Sequence, residues 1–183
     1  MKNKIILIGG YGAAGKSTFA RNLSQKLNIP CFIKDTIKET LGDGFGSESG
    51  EVFEKGGWAT FLLMLHITES FMHAENICIL ESNFKMSEIE QIKILLDKYN
   101  GECLTFRFRG NLDVMFDRYS NRDKERHWVH KSAGNIEGFK KVWSSRFGLD
   151  EINFGQIVDV NTTDFKNVDY DELYNIAKKF VEE

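Results

Sequence analysis

The segment from Lys4 to Leu27 constrains this chain more than any other: an apolar run, KIILI, passes through GGYGAAGKST into the helix-period stretch KSTFARNLSQKL. Residues 10–17 fit the pattern G-x-x-x-x-G-K-[ST]. Glycines at this spacing let the backbone curl until successive N–H groups converge on phosphate oxygens. A helix starting near Gly15 aims the positive end of its dipole at the same point. Lys16 can then reach the β- and γ-phosphates of a nucleotide, and the Ser17 hydroxyl can ligate Mg²⁺. A chance match in a chain of this length is on the order of a one-per-cent event, and the strand before it and helix after it make it rarer still. The expected nucleotide-binding set is Gly10, Tyr11, Gly12, Ala13, Ala14, Gly15, Lys16, Ser17 and Thr18.

A strand that feeds a helix in this way calls for parallel partners, and the rest of the sequence alternates accordingly. Apolar, β-branched runs predict strands at Lys4–Ile8, Cys31–Lys34, Ile77–Glu81, Leu104–Phe108 and Gln156–Val160. Helical periodicity predicts Lys16–Leu27, Thr36–Leu41, Trp58–His73, Ser87–Tyr99, Leu112–Arg122, Ile136–Phe147 and Tyr170–Val181. The first, third and fifth strands read as near-continuous apolar runs, the pattern of central strands buried on both faces. Residues 42–57 carry six glycines and predict a mobile loop. Residues 107–131 concentrate Arg107, Arg109, Arg118, Arg122, Lys124, Arg126 and Lys131. No linker, repeat or low-complexity tract divides the sequence, so residues 1–183 are expected to form a single α/β domain.

Composition narrows the partners. A formal charge of −3 gives no general attraction to a polyanion, so a nucleic-acid partner would need a local basic patch. Cys31, Cys78 and Cys103 sit inside apolar runs without metal-ligand spacing and read as buried thiols of a reducing compartment. The N-terminus starts basic then apolar, but Ile5–Ile8 is too short for a secretory signal and Lys16 interrupts the stretch beyond it. No other run approaches the ~20 apolar residues of a membrane span. A cytoplasmic protein is the expectation.

Outside the loop, several residues are candidates for chemistry. No Asn-Lys-x-Asp guanine-reading motif occurs, which counts against a GTPase. Asp35 ends the predicted second strand, where a carboxylate points into the ligand crevice of an α/β sheet. It can orient or deprotonate an acceptor hydroxyl or hold a metal's water shell; alternatively it flanks a helix start, since Thr36 and Glu39 form a capping-box pattern. Glu81-Ser82-Asn83 close the third strand. Glu81 falls where a Walker-B carboxylate would sit, with Mg²⁺ positioning, substrate contact or a solvated strand end as its readings; Asn83 is a candidate substrate contact. Arg118, Arg122 and Arg126 recur every four residues, a stripe that can clamp phosphates, although interleaved Asp117, Asp123 and Glu125 also suit a salt-bridged surface helix. His127 and His130 read as surface or packing residues. Trp58, Phe61, Leu62, Leu65 and Met72 share a helix face that reads as core, and His66 and His73 on the same helix are weak evidence for a metal.

Taken together, the sequence resembles the small-molecule P-loop kinases related to adenylate kinase, a wider group with shikimate and gluconate kinases, polynucleotide kinase, chloramphenicol phosphotransferase and zeta-toxin-type kinases. GGYGAAGKST carries the resemblance; the rest of the chain matches in outline. The resemblance implies a three-layer sandwich with a five-stranded parallel sheet, ATP with Mg²⁺, a substrate region at 36–75 and an arginine-bearing helical lid at about 111–133. It implies Lys16, Asp35, Arg118, Arg122 and Arg126 as the catalytic set, Asp35, Glu81 and Asn83 toward substrate, and Ser17 and Glu81 toward the metal. The loop after Val158 corresponds to the adenine side. Glu81 stands where the group usually has Asp, and residues 36–75 contain no arginine, which disfavours a nucleoside monophosphate acceptor. The expected activity is transfer of the γ-phosphate of ATP to a hydroxyl of an uncharged or cationic small molecule. The alternatives are a polynucleotide or RNA 5′-hydroxyl acceptor, and a regulatory ATPase whose 42–57 loop recruits a protein partner.

Overall fold

A computed structural model describes residues 3–46, 50–123, 126–130, 134–144 and 148–183. In chain order the elements are β1 (Lys4–Gly10), α1 (Lys16–Leu27), β2 (Cys31–Ile33), α2 (Lys34–Phe45), α3 (Gly50–His73) and β3 (Cys78–Glu81). Next come α4 (Met86–Tyr99), β4 (Glu102–Arg109), α5 (Leu112–Asp123), α6 (Ile136–Ser144), β5 (Gln156–Asn161) and α7 (Tyr170–Glu182). The five strands form one sheet in the order β2-β3-β1-β4-β5, with every neighbouring pair parallel.

Alternation along β1 divides the core. Ile6 and Ile8 pack with Phe19 and Leu23 of α1, Phe106 and Phe108 of β4, Phe139 of α6 and Leu173 of α7. Ile5 and Leu7 face the other way, onto Phe61 and Met64 of α3 and Ile89 and Ile92 of α4. Side chains of successive strand residues point to opposite faces, so one apolar run feeds two layers of helices. This is the expected three-layer α/β sandwich.

Several sequence expectations shift. The central strands are β1, β3 and β4. β5 is an edge strand in which only Val160 is buried, while β4 hides two fully buried rings, Phe106 and Phe108, behind an alternation with arginines. Most of 42–57 is helical rather than loop, because α2 runs to Phe45 and α3 begins at Gly50; residues 47–49 lie outside the described residues. The buried face of α3 is Phe61, Met64, Thr68 and Met72, whereas Trp58 and Leu62 are exposed. The Thr36–Glu39 capping box does not form: α2 starts two residues earlier, with Ile33 at its N-cap. Lys124, Glu125, Lys131 and the predicted end of α6 at 145–147 lie outside the described residues.

Cys78 and Cys103 are buried, Cys31 partly so, and all three are free thiols. Burial pushes each thiol up to about 12. Among the described residues no helix is long and apolar enough to cross a membrane.

Candidate active site

Parallel strands bring their C-terminal ends to one edge of the sheet, and the candidate residues gather there. The phosphate loop spans the turn from β1 to α1. Gly10 has φ 133° and Gly15 φ 85°, in the region that favours glycine. At Gly10 a Cβ would lie 1.9 Å from the Phe108 carbonyl oxygen, so no larger residue fits. That oxygen accepts a hydrogen bond from the Tyr11 N–H (2.9 Å), tying the loop to β4.

The register of β1 against β3 pairs Ile8 with Glu81, which sets this carboxylate beside the loop. The Ser17 hydroxyl donates to Glu81 Oε2 (3.0 Å), and Lys16 Nζ lies 3.9 Å from Oε1. The Lys16 ammonium also donates to the Tyr11 carbonyl (2.7 Å). Both ionisable groups are buried. Burial pushes the Lys16 pKa down, opposed by the Glu81 charge; burial pushes Glu81 up, opposed by Lys16. Glu81 is thus a carboxylate shared between the lysine and the hydroxyl of the phosphate loop.

A cleft of about 450 Å³ opens from here, lined by Gly12, Lys16, Ser17, Asp35, Glu81 and Asn83 among others. Asp35 does not end β2; it lies in the first turn of α2, still at the sheet rim and facing this cleft. Its carboxylate is 3.7 Å from the Arg126 guanidinium. Arg126 also bonds the Tyr119 hydroxyl, and burial lowers its pKa. The segment 126–130 is pinned to α2: His130 Nε2 is 2.8 Å from Glu39 Oε1, His127 Nε2 is 2.9 Å from Asp43 Oδ1, and Lys38 donates to the Val129 carbonyl (2.9 Å). Asp35, Glu39 and Asp43 are spaced by four, so one face of α2 meets segment 126–130.

The three arginines do not form a stripe. α5 ends at Asp123, so Arg126 leaves the helix and enters the cleft. Arg118 turns to the other side, donating to the Thr162 and Thr163 carbonyls (2.7 and 2.8 Å) and lying 3.9 Å from the Phe165 ring centre. Arg122 is exposed, 5.8 Å from the Tyr119 ring centre. Phe165 comes after β5, in the loop that follows Val158, and stands next to Gly15, where a Cβ would lie 2.9 Å from the ring. Trp143 of α6 covers Gly12 in the same manner (2.9 Å). His73 meets the Tyr99 hydroxyl at 2.7 Å, and His66 is exposed; no group of three potential ligands for a metal occurs among the described residues.

No family model and no curated protein sequence matches the chain. Among solved structures it is similar to a putative kinase from Chloroflexus aurantiacus, at 22% identity over 98% of both chains with a TM-score of 0.87. It has the fold of the P-loop kinases. A sugar kinase from Janibacter is similar at 11% identity over 100% of this chain and 95% of the other, TM-score 0.61. A gluconokinase from Sinorhizobium meliloti is similar at 12% identity, covering 87% and 82%, TM-score 0.57. At these identities the fold is what is shared.

Within this P-loop kinase fold, sequence reasoning missed Lys34, Lys38, Lys85, Tyr119, Trp143 and Phe165 at the cleft or beside the loop. Most sit on helices whose periodicity shows only which face is apolar. Their placement comes from how helices dock, which no local pattern carries.

Proposed function

We propose that the chain is an ATP-dependent kinase that phosphorylates a hydroxyl of a small molecule bound between α2, the β3–α4 turn and the lid. The observation that carries this reading is the buried Glu81 held by both Lys16 and Ser17, with Asp35 and Arg126 lining the same cleft. A nucleotide-binding loop that only switches would not require a carboxylate and a guanidinium poised over an acceptor-sized space.

The residues present suit Mg²⁺: Ser17 and Glu81 offer hard oxygen donors 3.0 Å apart, and this ion takes few protein ligands, completing its shell with water and phosphate oxygens. When bound with ATP, it would neutralise charge on the phosphates. The loop N–H groups and Lys16 hold the β- and γ-phosphates. Arg118 and Phe165 offer a flat platform on the side of the adenine. Asp35 accepts the proton of the acceptor hydroxyl as its oxygen bonds to the γ-phosphorus, the bond from that phosphorus to the β,γ-bridging oxygen breaks, and ADP leaves. Arg126 faces the charge spread over the transferring group. Trp143 and the lid segment limit water, so hydrolysis competes less.

The test tracks γ-labelled ATP with Mg²⁺ and pooled small alcohols. A labelled organic product is expected, and Lys16→Ala should abolish it. Label appearing only as inorganic phosphate, whatever alcohols are added, would reject a small-molecule kinase.

A further inference from the structure

The helix that presents Asp35 is not anchored by the core. Of the residues in α2 only Gly42 is buried, and Ile37 packs against the α3–α4 core only in part. The chain before it does not fix its start either. β2 is a three-residue edge strand, and its last residue, Ile33, is the N-cap of α2 with no side-chain cap hydrogen bond. Further along the helix, Lys38, Glu39 and Asp43 meet segment 126–130. Near the start, Thr36 accepts a hydrogen bond from Arg21 of α1 (3.2 Å) on the exposed side. Another contact runs inward: the Lys34 ammonium donates to Glu88 Oε1 of α4.

Glu88 belongs to a helix of the opposite character. α4 buries Ile89, Ile92, Leu95 and Leu96, and Glu88 itself is 1% exposed. Its other oxygen, Oε2, accepts the backbone N–H of Lys85 (3.1 Å), in the turn that follows Asn83. The Phe61 ring of α3 lies 5.7 Å from the Lys34 ammonium and closes over the pair. One buried carboxylate therefore holds the residue before Asp35 with one oxygen and the β3–α4 turn with the other. Lys34, Asp35, Asn83, Lys85 and Glu88 all line the cleft. Stability alone does not call for such a pair, because apolar side chains of similar volume often hold a buried site at least as well. A carboxylate with two fixed donors adds direction: it admits one arrangement of the groups it joins, where apolar packing tolerates several.

Resting on the kinase reading, we infer that Lys34 and Glu88 are positioning residues for the acceptor side. The pair braces the start of α2 against α4, and so sets the Asp35 carboxylate at a fixed separation from Asn83 across the acceptor hydroxyl. Neither side chain touches the reacting atoms. The oxygen that takes the proton must lie within hydrogen-bond reach of the hydroxyl, and a misplacement of ~1 Å costs about 10²-fold in rate. Without the brace, Asp35 stays in the cleft but not at that separation.

Removing one partner strands a buried charge, so the brace is removed whole, as Lys34→Met with Glu88→Gln. The amide can still accept the Lys85 N–H. The experiment measures labelled product from γ-labelled ATP, Mg²⁺ and a pool of sugars and polyols, and hydrogen exchange of the same proteins. The rate at saturating ATP should fall about 10- to 100-fold, with the ATP KM little changed. In an Asp35→Asn background the same replacement should change the rate by less than about 2-fold, because the group it positions is gone. Lys34→Arg keeps a cation opposite Glu88 and should retain most of the rate. Glu88→Asp keeps the charges but draws the carboxylate back by one methylene; it guards against an unfolded first variant, and its rate loss should likewise depend on Asp35. Exchange should quicken several-fold at Ile37, whose N–H is the first in α2 with a helical acceptor, and not at Leu23 of α1. An unchanged rate, an equal fold loss in the Asp35→Asn background, or unchanged exchange at Ile37 overturns the inference. If nothing in the pool is labelled, the kinase reading fails on its own. Exchange then decides the brace: quickening at Ile37 upholds it, and no change rejects it.

Discussion

At the scale of single residues, Lys16 and Glu81 are an ion pair that folding buries at a cost. Because burial raises Glu81 above its usual 4.5, the folded chain holds that proton to higher pH than the unfolded chain does. Stability from this group is therefore full below about 4.5 and falls as pH rises through the raised value. Lys16, lowered from 10.5, has the opposite slope: its burial penalty is relieved as pH climbs toward 10.5. In Lys16→Met the ammonium that opposes the Glu81 shift is gone, so the decline beginning near 4.5 should become steeper and extend further upward. Melting temperatures from pH 5 to 8 should drop more for Lys16→Met than for Lys16→Met with Glu81→Gln; parallel curves would show that Glu81 is not raised into this range. Asp35 offers a kinetic test. Asp35→Asn should lower kcat by about 10²- to 10⁴-fold, the usual worth of a general base, while the ATP KM holds. Equal damage to both would place the carboxylate at the metal. Glu81 was legible from the sequence because a strand end next to the phosphate loop has few places to go. Arg126 was legible only in kind, since a spacing of four implies a shared face only where the helix continues.

At the scale of elements, α5 works as a strut between the two sides of the cleft. Its Arg118 closes the loop after β5 through two carbonyls, and its Tyr119 steadies Arg126. Arg118→Met removes both charge-assisted hydrogen bonds and the platform on Phe165. The ATP KM is expected to rise roughly 10-fold or more while the acceptor KM changes little; an unchanged ATP KM would remove the platform from the site. Lysine at this position keeps the charge but cannot span two carbonyls in the same fixed geometry, so it should rescue only partly. The elements most visible in sequence were those with strong periodicity and clear ends, such as α1, which stops at Asn28 in a left-handed conformation, and α7, capped by Asp169. The glycine-rich 42–57 stretch misled because glycine lowers helix propensity without forbidding a helix. Gly42 is needed for another reason: a Cβ there would lie 2.3 Å from the Val129 side chain of segment 126–130. Close approach of two elements looks the same in sequence as flexibility.

At the scale of the whole molecule, a single sheet carries both cores, so neither face can unfold and leave the other intact. Phe61 belongs to one core and Phe106 to the other. Truncating either to alanine should cost about 3–5 kcal/mol and shift one common transition. Trp58 and Trp143 lie in different helical layers, and fluorescence from each alone should report the same midpoint; two midpoints would show two cooperative units. The five parallel strands and their helices were readable because each apolar run is bounded by turn residues. The position of β5 at the edge was not, since strand order is decided by long-range pairing.

The buried thiols have a practical consequence. With values near 12, each cysteine has a thiolate fraction of about 10⁻⁴ at pH 8, so maleimides and mild oxidants should find almost nothing to react with. The natural chain is in effect a blank background for site-directed labelling. A single cysteine placed at exposed Trp58 would be the one fast-reacting position, able to carry a dye to the residue next to Gly57 of the cleft lining without first removing three native residues.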